Sequence, residues 1–480
     1  MGFLVYDLIF LAAFCLFIIW FLYKRRKNLQ REMKIAFLYR TKIGIKFINY
    51  IGDRYKKLLG VLQYVSIVVG YILMLGVLYY AVKVVYSYVK YPILTELVKA
   101  PPLAPLIPYF PQIFGVESFF PPFYFTYFII SFLVVAVVHE FSHGIFARYH
   151  KVKIKSTGFA FFGPFIGAFV EQDDKQMLKR KKIAQMSILS AGVFANIIVT
   201  GISLLVWMGI FYANFTPTGA TFDVYSSSVV NVSEISGIGG VAIDNSTPQS
   251  MIKVIDNGQY VIIENMSLGN LTRVIVKGNA YLAPIDYLKE QLEEKSEFIM
   301  IYNDLPAINA GLKGDIIEID GKKIRTHDEL AEALPSYKPN DSILIKTRYG
   351  EQIFEYELVM GEDPNQKGRA VLGIGNTLAG VMQVEYRFAF FKESFTKYNA
   401  RSELLSFLYY LLFWIFLLNL VVAFFNMLPF AIMDGGRFFY LTIWGITKSE
   451  KLAKAFYKWA GVLILMAVVL LMVVWFFRVI

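Results

Sequence analysis

The chain has 480 residues, 56% of them hydrophobic and 18% charged, with a formal net charge of +11 and a mean hydropathy of +0.50. Those values exclude an ordinary soluble domain and point to several membrane spans joined to a watery part. The basic residues sit between apolar runs and not on one face of a soluble domain, which excludes nucleic acid as a partner.

Leu8 to Tyr23 is an uncharged run followed at once by Lys24-Arg25-Arg26-Lys27. It lacks a basic leading segment and a small-residue cleavage site, so it reads as a retained anchor and not a removed signal. It holds the one cysteine, Cys15; disulfides within the chain are impossible, and any zinc must be held by histidine and carboxylate. From Lys24 to Lys57 there are 12 Lys/Arg against only Glu32 and Asp53. Leu58 to Val82 is a second span. A proline-rich loop follows, with Pro92, Pro101, Pro102, Pro105, Pro108, Pro111, Pro121 and Pro122. It cannot be helical throughout, and is either a linker or a cap over an active site.

Ser118 to Val138 contains no charged residue and is long enough to cross a bilayer. It leads into Val137-Val138-His139-Glu140-Phe141-Ser142-His143-Gly144. His139 and His143, at i and i+4, share one helix face about one turn apart. Two imidazoles so placed can bind one Zn²⁺, with Glu140 in reach of a water as its base. Ionisable groups at membrane depth are expensive and mark function. The bland alternative is a pair of surface histidines just past a helix end, in a chain with only four histidines.

Arg148 to Lys182 then holds nine Lys/Arg. Ile183 to Tyr212 is a fourth span, Leu404 to Met433 a fifth and Trp459 to Phe477 a sixth, with Arg437, Lys448, Lys451, Lys454 and Lys458 between the last two. The positive-inside rule puts the loops 24–57, 148–182 and 437–458 in the cytoplasm. Six alternating spans satisfy all three at once, with both termini outside.

Residues 214–390 have a different composition, with 24 acidic against 15 basic residues, alternating β-type stretches and turn signals such as Asp256-Asn257-Gly258. Glycosylation sequons begin at Asn214, Asn231, Asn245, Asn265, Asn270 and Asn340, which suits an extracytoplasmic location. Within this stretch, Pro306-Ala307, Ala310-Gly311-Leu312, Gly314-Asp315-Ile316-Ile317 and Asp320-Gly321-Lys322 follow one another in a pattern that resembles a bacterial-type PDZ domain, over 285–361. Such a domain binds an extended peptide by adding it as a strand to a sheet edge. A β-rich spacer is the plainer reading.

A catalytic zinc needs a third protein ligand and an open position for water. The best candidate lies in Asn426-Met427-Leu428-Pro429-Phe430-Ala431-Ile432-Met433-Asp434-Gly435-Gly436. Asp434 is the first charged residue after thirty uncharged ones. Pro429 and the glycine pair are expected to break the helix there, which is tolerated in a membrane only where backbone is buried in protein or lines a cavity. The expected topology brings His139, His143 and Asp434 to one depth.

His139-Glu140-x-x-His143 on a membrane span, followed by Asn426-x-x-Pro429-x-x-x-x-Asp434-Gly435, resembles the site-2 protease family of intramembrane zinc metalloproteases, peptidase family M50. Gly163-Pro164-Phe165-Ile166-Gly167-Ala168-Phe169-Val170-Glu171 is similar to that family's membrane-dipping β segment. Ser190-Ala191-Gly192-Val193-Phe194-Ala195-Asn196 is similar to its Ala-Gly-Pro-x-Ala-Asn helix, with Val193 where proline is usual. The resemblance implies that His139, His143 and Asp434 hold one Zn²⁺ and that Glu140 serves as base and then acid. It implies that Asn196 and Asn426 bond the substrate or its oxyanion, and that the segment around Gly167 pairs with an unwound substrate strand. Substrates would be single-span membrane proteins whose helix can be locally unwound.

The fold class expected is therefore a polytopic α-helical membrane protein of about six transmembrane helices, in the cell membrane, with an inserted extracytoplasmic β-rich, PDZ-like α+β domain. Its parts are two N-terminal spans with their basic loop (1–91), the proline-rich loop (92–121), a catalytic core in two pieces (122–213 and 391–480) and the outer domain (214–390). Partners are the lipid bilayer, single-span substrates and a peptide ligand of the PDZ-like domain. The rival readings are a metal transporter or sensor with the same three ligands, and a non-catalytic PDZ membrane scaffold. His150 and His327 read as solvated bystanders.

Overall fold

The computed structural model of the chain describes residues 3–479 except 33–35, 91–100, 118, 163–164, 244–245, 259, 266, 295, 365 and 377–387. The sequon at Asn245, the proline at Pro92 and the start of the β segment, Gly163-Pro164, lie outside the described residues. The chain forms two units, one of residues 1–213 with 402–480 and one of residues 214–401.

The first unit is built on helices, because in hydrocarbon a single helix satisfies its own backbone amides. In chain order the helices of ten residues or more are α1 (Phe3–Arg25), α2 (Ile45–Arg54), α3 (Lys56–Lys90), α4 (Phe125–Tyr149), α5 (Lys182–Asn214), α6 (Glu403–Asn426), α7 (Asp434–Thr447) and α8 (Glu450–Val479). All but α2 and α7 are long and apolar enough to cross a membrane. Their outward faces are apolar: Ile9 and Leu16 on α1, Ile72 and Leu75 on α3, and Leu463 and Met466 on α8 are each largely exposed. Lipid accepts such a surface and water does not. The chain is a polytopic helical membrane protein with an inserted β-rich α+β unit.

Among the span boundaries that differ from expectation, two bear on the site. The third does not end at the histidines but runs on past them to Tyr149. The fifth was expected over Leu404 to Met433, yet α6 stops at Asn426 and the chain turns through Met427–Met433 before α7 begins at Asp434. Gly435 and Gly436 do not break a helix; they open α7. A Cβ on either would collide with the turn's own backbone, at Met427 and Phe430 respectively, so glycine lets the helix fold back tightly on the turn. The stretch 437–458, expected as a loop, is mostly helical.

α1 carries a single acid, Asp7, only 1% exposed. Its carboxylate accepts hydrogen bonds from Phe125 N–H (2.8 Å), Thr126 N–H (2.9 Å) and the Thr126 hydroxyl (2.5 Å). The Tyr109 hydroxyl of the proline-rich segment donates to it at 2.6 Å. The first amides of a helix have no intrahelical acceptor and carry partial positive charge, so Asp7 caps α4 from a neighbouring helix. Replacing it with alanine strands buried donors, at about 1–3 kcal/mol each. Asp7→Ala is expected to lower the thermal midpoint of the detergent-purified chain by several degrees. Asp7→Asn, which retains one acceptor, should lower it less. Equal midpoints for all three proteins would contradict the cap.

The described part of the proline-rich segment packs at this same end of α4. Phe110 and Phe123 are buried against Trp414, whose indole N–H donates to the Pro122 carbonyl at 3.1 Å. At 1.5 Å per residue this end stands about 20 Å along α4 from His139. The segment is anchored packing there, neither a free linker nor a cap over the histidines.

The basic stretch after α1 is also structured. β1 (Leu29–Glu32), β2 (Ala36–Thr41), β3 (Ile154–Phe162) and β4 (Phe165–Gln172) form one antiparallel sheet in that order, with β1 and β4 at its edges. Arg40 of β2 reaches across to Glu171 of β4 at 2.9 Å, and the Ser156 hydroxyl donates to the same carboxylate at 2.6 Å.

The second unit has two cores. One gathers Ile235, Ile238, Val274, Ile299 and Ile301 under the helices Pro248–Asp256 and Ile285–Glu293. The other gathers Ile308, Leu312, Ile316, Leu330, Ile343 and Ile345. This second core's main sheet runs, in space, Gln352–Val359, Ser342–Tyr349, Asp315–Ile319, Phe215–Ala220, Thr396–Ala400. Residues 285–361, expected as one PDZ-like piece, contribute to both cores. Ile285, Leu288 and Leu292 pack their helix into the other core, and the sheet takes strands from both ends of the unit. Among the sequon residues, Asn214 is buried, and the Asn231 and Asn265 side chains accept from the turn amides of Ser233 and Ser267.

Candidate metal centre

The i, i+4 spacing on α4 brings His139 and His143 together, with their Nε2 atoms 3.0 Å apart. Asp434, the first residue of α7, places Oδ2 3.1 Å from His139 Nε2 and 3.2 Å from His143 Nε2. A carboxylate at the start of a helix is favoured by the helix dipole. The three ligand atoms form a triangle drawn from residues 139, 143 and 434.

The residues fit a zinc ion. Four-coordinate Zn²⁺ about 2.0–2.1 Å from nitrogen and oxygen donors implies donor separations of about 3.3 Å, close to this triangle. The tautomers agree as well. His143 Nδ1 lies 2.6 Å from the Ile188 carbonyl, which can only accept, so Nδ1 carries the proton and Nε2 turns a lone pair into the triangle. His139 Nδ1 lies 3.2 Å from Asn196 Nδ2, while Asn196 Oδ1 is buried with no partner among the described residues. A half-turn of that amide puts the oxygen on Nδ1–H, the arrangement that orients a metal-binding imidazole.

Ile188, Gly192 and Asn196 stand at i, i+4 and i+8 and so form one stripe along α5. Gly192 is the point of closest approach. A Cβ there would lie 2.6 Å from His139 Cε1 and 2.6 Å from His143 Nε2. Sequence reasoning singled out Gly192 and Asn196 as part of a motif, but not as the wall behind the imidazoles. The Ile188 carbonyl carried no sequence signal, since every residue has one.

Glu140 is outside the donor triangle. Its Oε2 accepts from Val170 N–H of β4 at 3.0 Å. Of the remaining site residues, Gly167 pairs with Ala160, and a Cβ on it would touch Ala160 alone, at 3.9 Å. Nothing in the fold demands glycine there. Asn426 ends α6, half-buried, with no hydrogen-bond partner among the described residues. The other histidines are not solvated bystanders. His150 is bonded to the Ser187 hydroxyl at 2.9 Å, and burial with Arg180 nearby pushes it down to about 4, so it stays neutral. His327 begins the helix His327–Ala333 of the second unit, and its Nδ1 is buried with no partner among the described residues.

A donor set that fits zinc thus lies beside a carboxylate that can accept a proton, among helices long and apolar enough to cross a membrane. Residues 127–472 match Peptidase family M50, and the chain belongs to that family of zinc metalloproteases. It is also similar to the uncharacterized protein MJ0971 of Methanocaldococcus jannaschii, with 29% identity over 205 residues, 42% of this chain and 51% of that protein. The chain thus spans about half the length of this curated relative.

Proposed function

We propose that the chain hydrolyses peptide bonds in or near the transmembrane segments of membrane-anchored proteins, in the manner of site-2 proteases in regulated intramembrane proteolysis. The observation that carries this reading is the convergence of His139, His143 and Asp434 to within 3.0–3.2 Å of one another. These three residues would hold Zn²⁺, which when bound supplies a Lewis acid and brings the pKa of water toward neutral. Glu140 takes a proton from the attacking water and returns it to the leaving amine.

A helical peptide's carbonyls are occupied by its own amides, so the substrate must be unwound to react. β4 is an edge strand, and Val170 N–H, bonded to Glu140, faces away from β3. In an antiparallel ladder the backbone groups alternate sides, so Ile166 and Ala168 present theirs outward as well. A substrate strand added there runs beside the base. Gly167 gives it room, and Asn426 is left as the candidate donor to the substrate carbonyl. The hydrogen bond between His139 Nδ1 and the Asn196 amide supports a positioning role for Asn196 in place of an oxyanion contact.

The three basic loops support a cytoplasmic location for the metal end and an extracytoplasmic one for 214–390. In the second unit, a groove of about 810 Å³ between the helix His327–Ala333 and the strand Gln366–Val371 supports a peptide ligand. The zinc content of purified protein tests the site. Wild type is expected to hold one ion per chain and Asp434→Ala to hold little, because two imidazoles alone do not make a catalytic site. Equal zinc in the two proteins would remove Asp434 from the ligand set.

A further inference from the structure

We infer that the first unit carries a phospholipid site behind the metal helices, taking an anionic lipid with one acyl chain between α3, α4 and α5. A groove of about 340 Å³ lies there, within the roughly 300–1,000 Å³ of ligand-sized pockets. Tyr55, Leu58 and Leu62 line it from the α3 side, Ile145 from α4, and Ala195 and Ile198 from α5. Leu58 and Ile198 are 55% and 45% exposed, large apolar side chains bordering open space.

Charge at the mouth selects the headgroup. Arg54, Lys56 and Lys57 flank Tyr55 and are exposed. The nearby acid Asp53 is taken by Arg148, whose Nε and Nη2 donate to it at 3.0 and 2.7 Å. Lys56 shares the field of Asp53, but none of the three cations has a hydrogen-bonded acidic partner among the described residues. α2, which leads into the groove, buries Ile48 against α4 and exposes Phe47 and Tyr50 beside Lys46. An amphipathic helix of this kind lies at the headgroup level of a bilayer, where cations attract anionic lipid. The groove's floor includes Ser142 of α4 and Ala191 of α5, the neighbours of His143 and Gly192, so the bound chain braces the helices that shape the metal centre.

The full chain, stripped in detergent and titrated with phosphatidylglycerol or phosphatidylcholine, can be weighed with its lipid by native mass spectrometry. Phosphatidylglycerol is expected to be retained in clear preference. Its retention should fall several-fold in Ile198→Trp, which fills the groove, and in the triple variant Arg54→Ser, Lys56→Ser, Lys57→Ser. Zinc content, unchanged from wild type, certifies the fold of each. Leu58→Trp fills the groove from the α3 side and gives the same reading should Ile198→Trp fold poorly. Equal retention of the two lipids, or undiminished retention in both tryptophan variants, overturns the assignment. So does displacement of a transmembrane substrate peptide by the tryptophans with lipid binding unaltered.

Discussion

Glu140→Gln is expected to abolish proteolysis while leaving zinc bound. Glu140 does not belong to the triangle of His139, His143 and Asp434, so the change removes a proton acceptor and no ligand. Positioned proton transfer contributes about 10²–10⁴-fold to rate, and an amide cannot perform it. The loss should lie toward the upper end of that range, because the same carboxylate is used twice, first as base and then as acid. The substitution preserves the shape of the side chain and keeps an oxygen for Val170 N–H, so β4 holds its place beside α4. Cleavage of a membrane-embedded reporter in liposomes, measured alongside zinc content, checks both halves. Undiminished cleavage would take Glu140 out of the mechanism. Metal transport or PDZ-type tethering, the rival activities, would survive the change.

What could be read from the sequence divides along a physical line. Local periodicity and composition are written in neighbouring residues, so the apolar runs and the i, i+4 histidines were legible. Asp434 was legible because a lone charge after a long apolar run is costly unless something uses it. The break at Met427–Met433 was placed too late, since those residues are as apolar as the helix before them and hydropathy says nothing of backbone hydrogen bonding. Pairings across long separations left no local trace. Phe37–Thr41 joins Thr157–Phe161, and Phe215–Ala220 joins Thr396–Ala400, yet either strand read alone is only a short β-type stretch. Asp7 was missed for a different reason. It stands at the edge of an apolar run, where a carboxylate ordinarily meets water, and only the arrival of the Phe125 and Thr126 amides gives it a role.

One added methyl group should have an effect of similar size. Gly192→Ala puts a Cβ 2.6 Å from His139 Cε1, 2.7 Å from His139 Nδ1 and 2.6 Å from His143 Nε2, so something must move. The rings are poorly placed to yield. His143 is held by the Ile188 carbonyl at 2.6 Å and His139 by Asn196 at 3.2 Å, both on the same face of α5 as the new methyl. If α5 retreats, it takes those two partners with it; if the rings retreat, their hydrogen bonds break. Metal–ligand distances tolerate only about 0.2 Å, less than either movement requires. Loss of the hydrogen bonds that orient ligands typically costs about 10–100-fold in metal affinity, and here two imidazoles are disturbed together. Gly192→Ala is therefore expected to lose zinc to a chelator at concentrations that leave wild type loaded, with proteolysis falling in step. Gly201→Ala, on the same helix with open space around its Cβ, should match wild type in both assays. Tight zinc binding by Gly192→Ala would mean that α5 does not wall the imidazoles at this distance, and that the donor triangle is set by something other than their packing against it.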